Sequence, residues 1–104
     1  MYAIEQNFRN VNGRMVPTFL RDVGYGNVEL EVEAGTSGCC CESHTCLSLL
    51  CLSGGFSFSP IEDEEGHVDG VSIVCHGDDA LEAVVKALGF AQKVLNDQRY
   101  GVDD

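Results

Sequence analysis

A strict alternation of apolar and acidic residues over Val28–Glu33 is the strongest constraint that this sequence places on the fold. Successive side chains of a strand point to opposite faces of a sheet, so a period of two predicts a strand with one buried face and one solvated face. A strand of a parallel sheet is covered on both faces and would be apolar throughout. The alternation therefore predicts an antiparallel sheet that presents Glu29, Glu31 and Glu33 to solvent.

Four other segments have the composition of strands. Tyr2–Phe8 and Met15–Leu20 are separated by an Asn-Gly pair, which favours the two-residue type I′ turn of a β-hairpin. Phe56–Ile61 and Val71–Cys75 flank an acidic connection that contains two glycines. This second arrangement is also typical of a β-hairpin.

The C-terminal quarter of the chain has the pattern of an amphipathic helix. Asp78 or Asp79 can cap its N-terminus and complement its dipole. Apolar residues then recur at steps of three and four and predict one buried stripe, formed by Leu81, Val84, Val85, Leu88, Ala91, Val94 and Leu95. Residues 101–104 are predicted to be a frayed tail.

Strands come first and the helix comes last, without the βαβ alternation of parallel sheets. The length of 104 residues suits one hydrophobic core. We therefore predict a single α+β domain over residues 1–104. Its mainly antiparallel sheet has about five strands, and the C-terminal amphipathic helix packs on one face.

The middle of the chain is rich in cysteine. Residues 34–45 shift to Gly, Thr, Ser and Cys and are predicted to form an irregular loop that carries Cys39, Cys40 and Cys41. The run Cys46–Leu52 fits either a short helix or a buried strand, and its leucine content favours a helical turn.

A zinc site is one use for these cysteines, because Zn²⁺ takes four thiolate or imidazole ligands in a tetrahedron. The segment offers three such groups in Cys41, His44 and Cys46, and either Cys51 or Cys39 could supply the fourth. It lacks the paired Cys-x-x-Cys halves of structural zinc sites. The simpler interpretation treats Cys46, Cys51 and Cys75 as small buried hydrophobes, and disulfide or redox chemistry is a third use.

The sequence shows no targeting or membrane-spanning pattern. No basic stretch followed by an apolar one stands at the N-terminus, and the longest strongly apolar run, Cys46–Leu52, is far too short to cross a bilayer. We expect a cytoplasmic protein without membrane association, in the host cytoplasm if the chain is viral. Its thiols are then expected to be reduced.

Charge restricts the choice of partner. The chain has 17 acidic and 6 basic residues, a net charge of −11, and no Lys or Arg between Asp22 and Val85. Such a field repels nucleic acid and anionic membranes and favours a basic protein partner. The predicted contact residues are the acids of the alternating strand and of the second hairpin: Glu29, Glu31, Glu33, Glu62, Asp63, Glu64, Glu65 and Asp69.

Motifs for catalysis or for cofactor binding are missing from the sequence: it has no phosphate-binding glycine loop, no Gly-x-Ser-x-Gly and no EF-hand spacing. Cys75 and His76 are adjacent, and neighbours on a strand point to opposite faces, so they are not expected to pair as nucleophile and base. We expect neither an enzyme nor a bound cofactor.

A binding function remains. We expect a small acidic protein that presents carboxylates to a basic surface on a partner, and its charge and size suit, by analogy, a phage-type inhibitor of a nucleic-acid-handling complex. The alternative is a small zinc-binding or thiol-based protein built around Cys39–Cys51.

Overall fold

A computed structural model describes residues 4–37 and 43–100 and confirms the predicted α+β fold. Its elements, in chain order, are β1 Ile4–Val11, β2 Arg14–Asp22, β3 Leu30–Thr36, β4 Thr45–Cys51, β5 Phe56–Glu62, β6 Val68–Cys75 and α1 Asp78–Arg99. The described residues thus form six strands rather than five. All pairs are antiparallel, in a four-stranded sheet of order β1-β2-β3-β4 and a separate hairpin, β5-β6.

The segment predicted as a helical turn is strand β4. It pairs with β3 along its whole length, from Leu30 opposite Cys51 to Thr36 opposite Thr45. A seven-residue ladder outweighs the helix propensity of leucine, which amounts to only about a few tenths of a kcal/mol per residue. The predicted loop is shorter than expected, because β3 continues to Thr36. Cys39, Cys40 and Cys41 lie outside the described residues.

Strand β3 also begins later than predicted. Val28 and Tyr25 exchange two backbone hydrogen bonds, of 3.0 and 2.9 Å, across a tight turn. Val28 therefore belongs to this turn, and the regular strand starts at Leu30.

The main core lies between β3 and α1. We call the side of the four-stranded sheet on which α1 packs the helix face, and the other side the open face. Leu30, Val32 and Ala34 are fully buried on the helix face. The buried residues of the helix are mostly alanine: Ala80, Ala83, Ala87 and Ala91, with Phe90 and Val94. These small side chains let the helix approach β3, the strand that it contacts most.

The predicted buried stripe of α1 is therefore only partly correct. Ala91 and Val94 are buried, but Leu81, Val85 and Leu88 are between 53% and 56% exposed. The apolar arc of the helix is wider than the sheet surface that it covers. The alanine side faces β3 because it permits the closest packing, and the larger side chains remain outside.

The first turn of α1 is also only partly as predicted. Its N-cap residue is Gly77, and no side chain caps the helix. Asp78 and Asp79 lie in the first turn, where negative charge complements the helix dipole. Within residues 4–37 and 43–100, no helix is both long enough and apolar enough to span a membrane.

The four-stranded sheet is curled. Strands β1 and β4 contact each other although two strands separate them in the sheet. The open face is the inside of this curl, and its side chains line a cavity of about 270 Å³. His44, just before β4, also contacts the end of β1, with its ring Nδ1 3.0 Å from the carbonyl oxygen of Val11.

The β5–β6 hairpin extends from this body. Phe56, at its base, packs against the core, whereas nearly every residue from Ser57 to Val74 is exposed. The chain measures 44 × 40 × 18 Å, and its radius of gyration of 14.9 Å exceeds the roughly 13 Å expected of a compact domain of this length. The connection between β5 and β6 is therefore an outlying part of the molecule.

Candidate protein-interaction surface

The outer end of the β5–β6 hairpin carries five carboxylates, which we call the acidic tip: Glu62, Asp63, Glu64, Glu65 and Asp69. All five residues are exposed, as predicted from the sequence. Glu62 pairs with Val68, and the register then shifts so that Ile61 pairs with Gly70. Asp69 is the extra residue of this bulge, a feature that locally bends and twists a strand.

Asp63 holds the turn of the acidic tip. Its backbone N–H donates to the His67 carbonyl at 2.9 Å, and its carbonyl accepts the N–H of Gly66 at 3.1 Å. Its carboxylate Oδ1 accepts the N–H groups of Glu65 and His67 at 2.8 and 2.9 Å. Gly66 has φ of +88°, a conformation that glycine adopts without strain. The tip is therefore ordered by its own hydrogen bonds.

These hydrogen bonds also stabilise the ionised form of the Asp63 carboxyl group. The N–H donated by His67 lowers the pKa of the Asp63 carboxyl below its ordinary value, and donors from Glu65 and the His67 ring lower it further. The ring Nδ1 of His67 lies 3.3 Å from Asp63 Oδ2 and 3.7 Å from Glu65 Oε2. Asp63 thus remains ionised well into the acidic range.

The acids of the alternating strand do not form one solvated row. Glu29 precedes β3 and is exposed, Glu31 is half-buried on the open face, and only 5% of Glu33 is exposed. Glu33 was predicted to be a solvent-facing contact residue, and this prediction is wrong. The curl of the sheet covers its side chain.

Glu33 is held by an ion pair inside the curl. Arg9 donates from Nε and from one terminal nitrogen to the two carboxylate oxygens at 2.7 and 2.8 Å, and the Thr18 hydroxyl donates at 2.6 Å. The Arg9 hydrogen bond is the main reason that the pKa of the Glu33 carboxyl lies below its usual value; Thr18 also lowers it, and burial opposes both. This carboxylate is therefore structural.

The predicted acidic surface is thus divided between two sheets. Glu31 belongs to the four-stranded sheet and Glu29 lies immediately before its strand β3, whereas the acidic tip belongs to the hairpin. Half of the basic residues lie elsewhere again. Arg21, Lys86 and Lys93 line a cavity of about 380 Å³ between β2 and α1. Of the predicted contact residues, those of the acidic tip form the one group that shares a single exposed turn.

The predicted zinc site cannot include both Cys46 and Cys51. These two cysteines lie on opposite faces of β4, and their positions are five residue steps, or about 16 Å, apart along the strand. They cannot bind the same ion, so Cys41, His44, Cys46 and Cys51 do not form one site; Cys41 and the alternative fourth ligand, Cys39, lie outside the described residues. In the part of the chain that the structure describes, no cluster of His, Cys, Asp and Glu is arranged to hold a metal.

The described thiols have local roles. Cys51 Sγ donates to the Gly54 carbonyl at 3.1 Å, and Cys46 Sγ lies 3.8 Å from the Ser48 hydroxyl. Cys46, Cys51 and Cys75 are each half-buried and carry no disulfide. Full burial, as predicted for small hydrophobes, is not observed for any of the three.

The sequence reasoning missed two exposed apolar surfaces. The first is the face of the hairpin formed by the cross-strand pairs Phe56–Cys75, Phe58–Ile73 and Pro60–Val71, which we call the apolar ribbon. The second is the exposed side of α1 with Leu81, Val85 and Leu88, which we call the helix stripe. The alternation Phe-Ser-Phe-Ser-Pro in β5 does signal the ribbon, but such a pattern predicts a buried face rather than an exposed one.

No protein-family model, no curated protein and no solved structure matches this chain.

Proposed function

We propose that this chain is a non-enzymatic binding protein that docks its acidic tip on a basic surface of another protein. One observation carries the proposal: five exposed carboxylates lie together on an ordered turn at the end of an extended hairpin. The nearest Lys or Arg residues in the sequence are Arg21 and Lys86. The negative charge of the tip is therefore not neutralised by bases within the hairpin.

The expected strength follows from the number of ion pairs. An exposed pair contributes about 0.2–1 kcal/mol, so four or five pairs change the binding free energy by about 1–5 kcal/mol. This corresponds to roughly a five- to several-thousandfold change in affinity. Such pairs are screened by salt, and they also accelerate association and select the partner.

The same charge complementarity would make the binding inhibitory for a partner that uses its basic surface to bind nucleic acid. A surface that is basic enough to accept five carboxylates also attracts the phosphates of nucleic acid. When the acidic tip occupies that surface, nucleic acid is excluded from it. A partner that handles nucleic acid is then inhibited by direct competition.

A charge-neutral tip tests the proposal. The variant E62Q/E64Q/E65Q/D69N removes four charges but keeps Asp63, which holds the turn. A partner captured from the native source is identified, purified and titrated at several salt concentrations. We expect the variant to bind at least about fivefold more weakly, and with a flatter dependence on salt, than the wild type.

A matched control removes the same charge elsewhere, by changing Glu5, Glu29, Asp78 and Glu82 to their amides. This control is expected to keep its affinity within about twofold. Equal losses in both variants would show that only the net charge matters. Undiminished binding by the tip variant would rule out the tip as the contact surface.

A further inference from the structure

We infer that the chain forms a symmetric homodimer in which the apolar ribbon of each copy packs on the helix stripe of the other. The inference rests on apolar surface, and it is independent of the function proposed for the acidic tip. Ribbon and stripe are two apolar surfaces that the described residues leave exposed.

The apolar ribbon needs a cover to be stable. A two-stranded hairpin alone is marginally stable in water, and it becomes stable when it packs against a helix or gains further strands. Here Phe58, Val71 and Ile73 are between 40% and 60% exposed. Phe58 stacks on Phe56, with ring centroids 6.2 Å apart, so that the ribbon continues the core outward into solvent.

The helix stripe fits such a ribbon in length and in chemistry. Leu81, Val85 and Leu88 follow one another at steps of four and three along one side of α1, over about 10 Å. The ribbon from Phe56 to Pro60 is about 13 Å long. A sheet face that packs on an apolar helix side is a common way to bury both.

Charge does not oppose this contact, although the whole chain has a net charge of −11. No Asp, Glu, Lys or Arg occurs from Ser43 to Ile61 or from Gly70 to Gly77. The ribbon therefore meets its partner without facing like charges. The acidic tip lies beyond the ribbon, at the outer end of the hairpin.

The chain exposes more surface than a compact monomer of its mass would. A compact monomer of 11.2 kDa is expected to expose about 5,700 Å², and this chain exposes 7071 Å². The excess of roughly 1,400 Å² is larger than the approximately 800 Å² that each partner contributes to a standard interface.

A second copy is the occupant that these features favour. The hairpin needs its cover whenever the chain is folded, and another molecule of the same chain is always present. A two-fold axis brings both ribbons onto both stripes at once, and two-fold dimers are by far the commonest oligomers. Each copy then covers both of its exposed apolar surfaces.

Paired charge substitutions test the arrangement. We expect the wild type to sediment, under reducing conditions, at about twice the monomer mass of 11.2 kDa. I73E on the ribbon and V85K on the stripe each place a charge in both contacts of the dimer. Each is expected to weaken dimerisation at least about 100-fold, whereas V74E, on the opposite face of β6, is expected to leave it unchanged.

Mixing the two variants identifies the contact. In a mixed dimer one contact is wild type, and the other joins the carboxylate introduced by I73E to the ammonium group introduced by V85K. Heterodimers should therefore appear in native mass spectra although neither variant dimerises alone. A monomeric wild type would overturn the inference. Dimers lost in I73E but retained in V85K would overturn it in favour of ribbon-to-ribbon stacking.

A measurement on the wild type guards against variants that simply unfold the hairpin. We expect the amide hydrogens of β5 and β6 to exchange slowly in concentrated protein and faster on dilution, because the dimer protects them. Exchange that is independent of concentration would contradict the dimer.

Discussion

G35A is expected to destabilise the four-stranded sheet by about 3 kcal/mol or more, a large fraction of the roughly 5–15 kcal/mol that stabilises an ordinary domain. A Cβ atom at Gly35 would lie 2.1 Å from the carbonyl oxygen of Pro17 and 2.7 Å from the Cα of Thr18. Both are backbone atoms, so no rotation of a side chain relieves the clash. The curl of the sheet requires β3 to approach β2 this closely.

Gly70 provides the matched control, since it also lies in a strand. The nearest atom to a Cβ there is the Ile61 Cδ1 at 3.6 Å, which is ordinary van der Waals contact. G70A is expected to lie within about 1 kcal/mol of the wild type. Chemical denaturation of the two variants measures the difference, and equal stabilities would refute the close approach at Gly35.

Removal of the Glu33 carboxylate is expected to give the second largest loss, about 2–3 kcal/mol. The variant E33A deprives the fully buried Thr18 hydroxyl of its partner and breaks the bidentate contact with Arg9. The melting temperature should fall by roughly 10–20 °C. A melting temperature equal to that of the wild type would show that the ion pair does not stabilise the fold.

A double variant separates charge from packing at this site. In E33L/T18V both partners of the buried hydroxyl–carboxylate contact become apolar, and such replacements are often nearly neutral. We expect this variant to recover at least half of the loss seen in E33A.

The contribution of Glu33 has a defined dependence on pH. Because its pKa is lower in the folded than in the unfolded chain, its ionised form stabilises the fold above the ordinary carboxyl pKa of about 4.3. This stabilisation disappears as the pH falls through the folded pKa. The stability difference between the wild type and E33Q should therefore shrink on acidification, and a constant difference would argue against an ionised Glu33.

Local signals in the sequence predicted much of the fold. Asn12 and Gly13 have φ of +53° and +86°, which are the positive values that a type I′ turn requires, and β1 and β2 pair across them as expected. The second hairpin and the C-terminal helix were predicted by equally local patterns. In each case residues close in sequence decide the outcome.

The features that the sequence did not predict depend on contacts between residues far apart in the chain. Segment Cys46–Leu52 becomes a strand because β3 pairs with it. The buried side of α1 is selected by the closeness of β3, which favours the small Ala83 and Ala87 over the large Leu81 and Leu88. The pattern of apolar residues along a helix does not show how closely a neighbouring strand will approach, so it could not show which side of α1 would be buried.

In the candidate site, too, one feature could be predicted from local sequence and another could not. The exposure of the acidic tip was predictable from the sequence, because adjacent carboxylates on a glycine-containing turn cannot be buried without partners for their charges. The fate of Glu33 was not predictable, because Arg9 lies 24 positions away and reaches it only in a curled sheet. The alternation of apolar and acidic residues in Val28–Glu33 is the same whether the acidic side chains face solvent or the inside of a curled sheet.

The turn that Asp63 closes with its own hydrogen bonds has a consequence for how this protein can change. Substitutions at Glu62, Glu64, Glu65 or Asp69 alter no packing in the core, so the partner recognition that we propose for the acidic tip can diverge while the scaffold stays constant. A laboratory selection that randomises these four positions should yield folded variants with new specificities. Natural variants that follow a changing target would be expected to differ first at the same four positions.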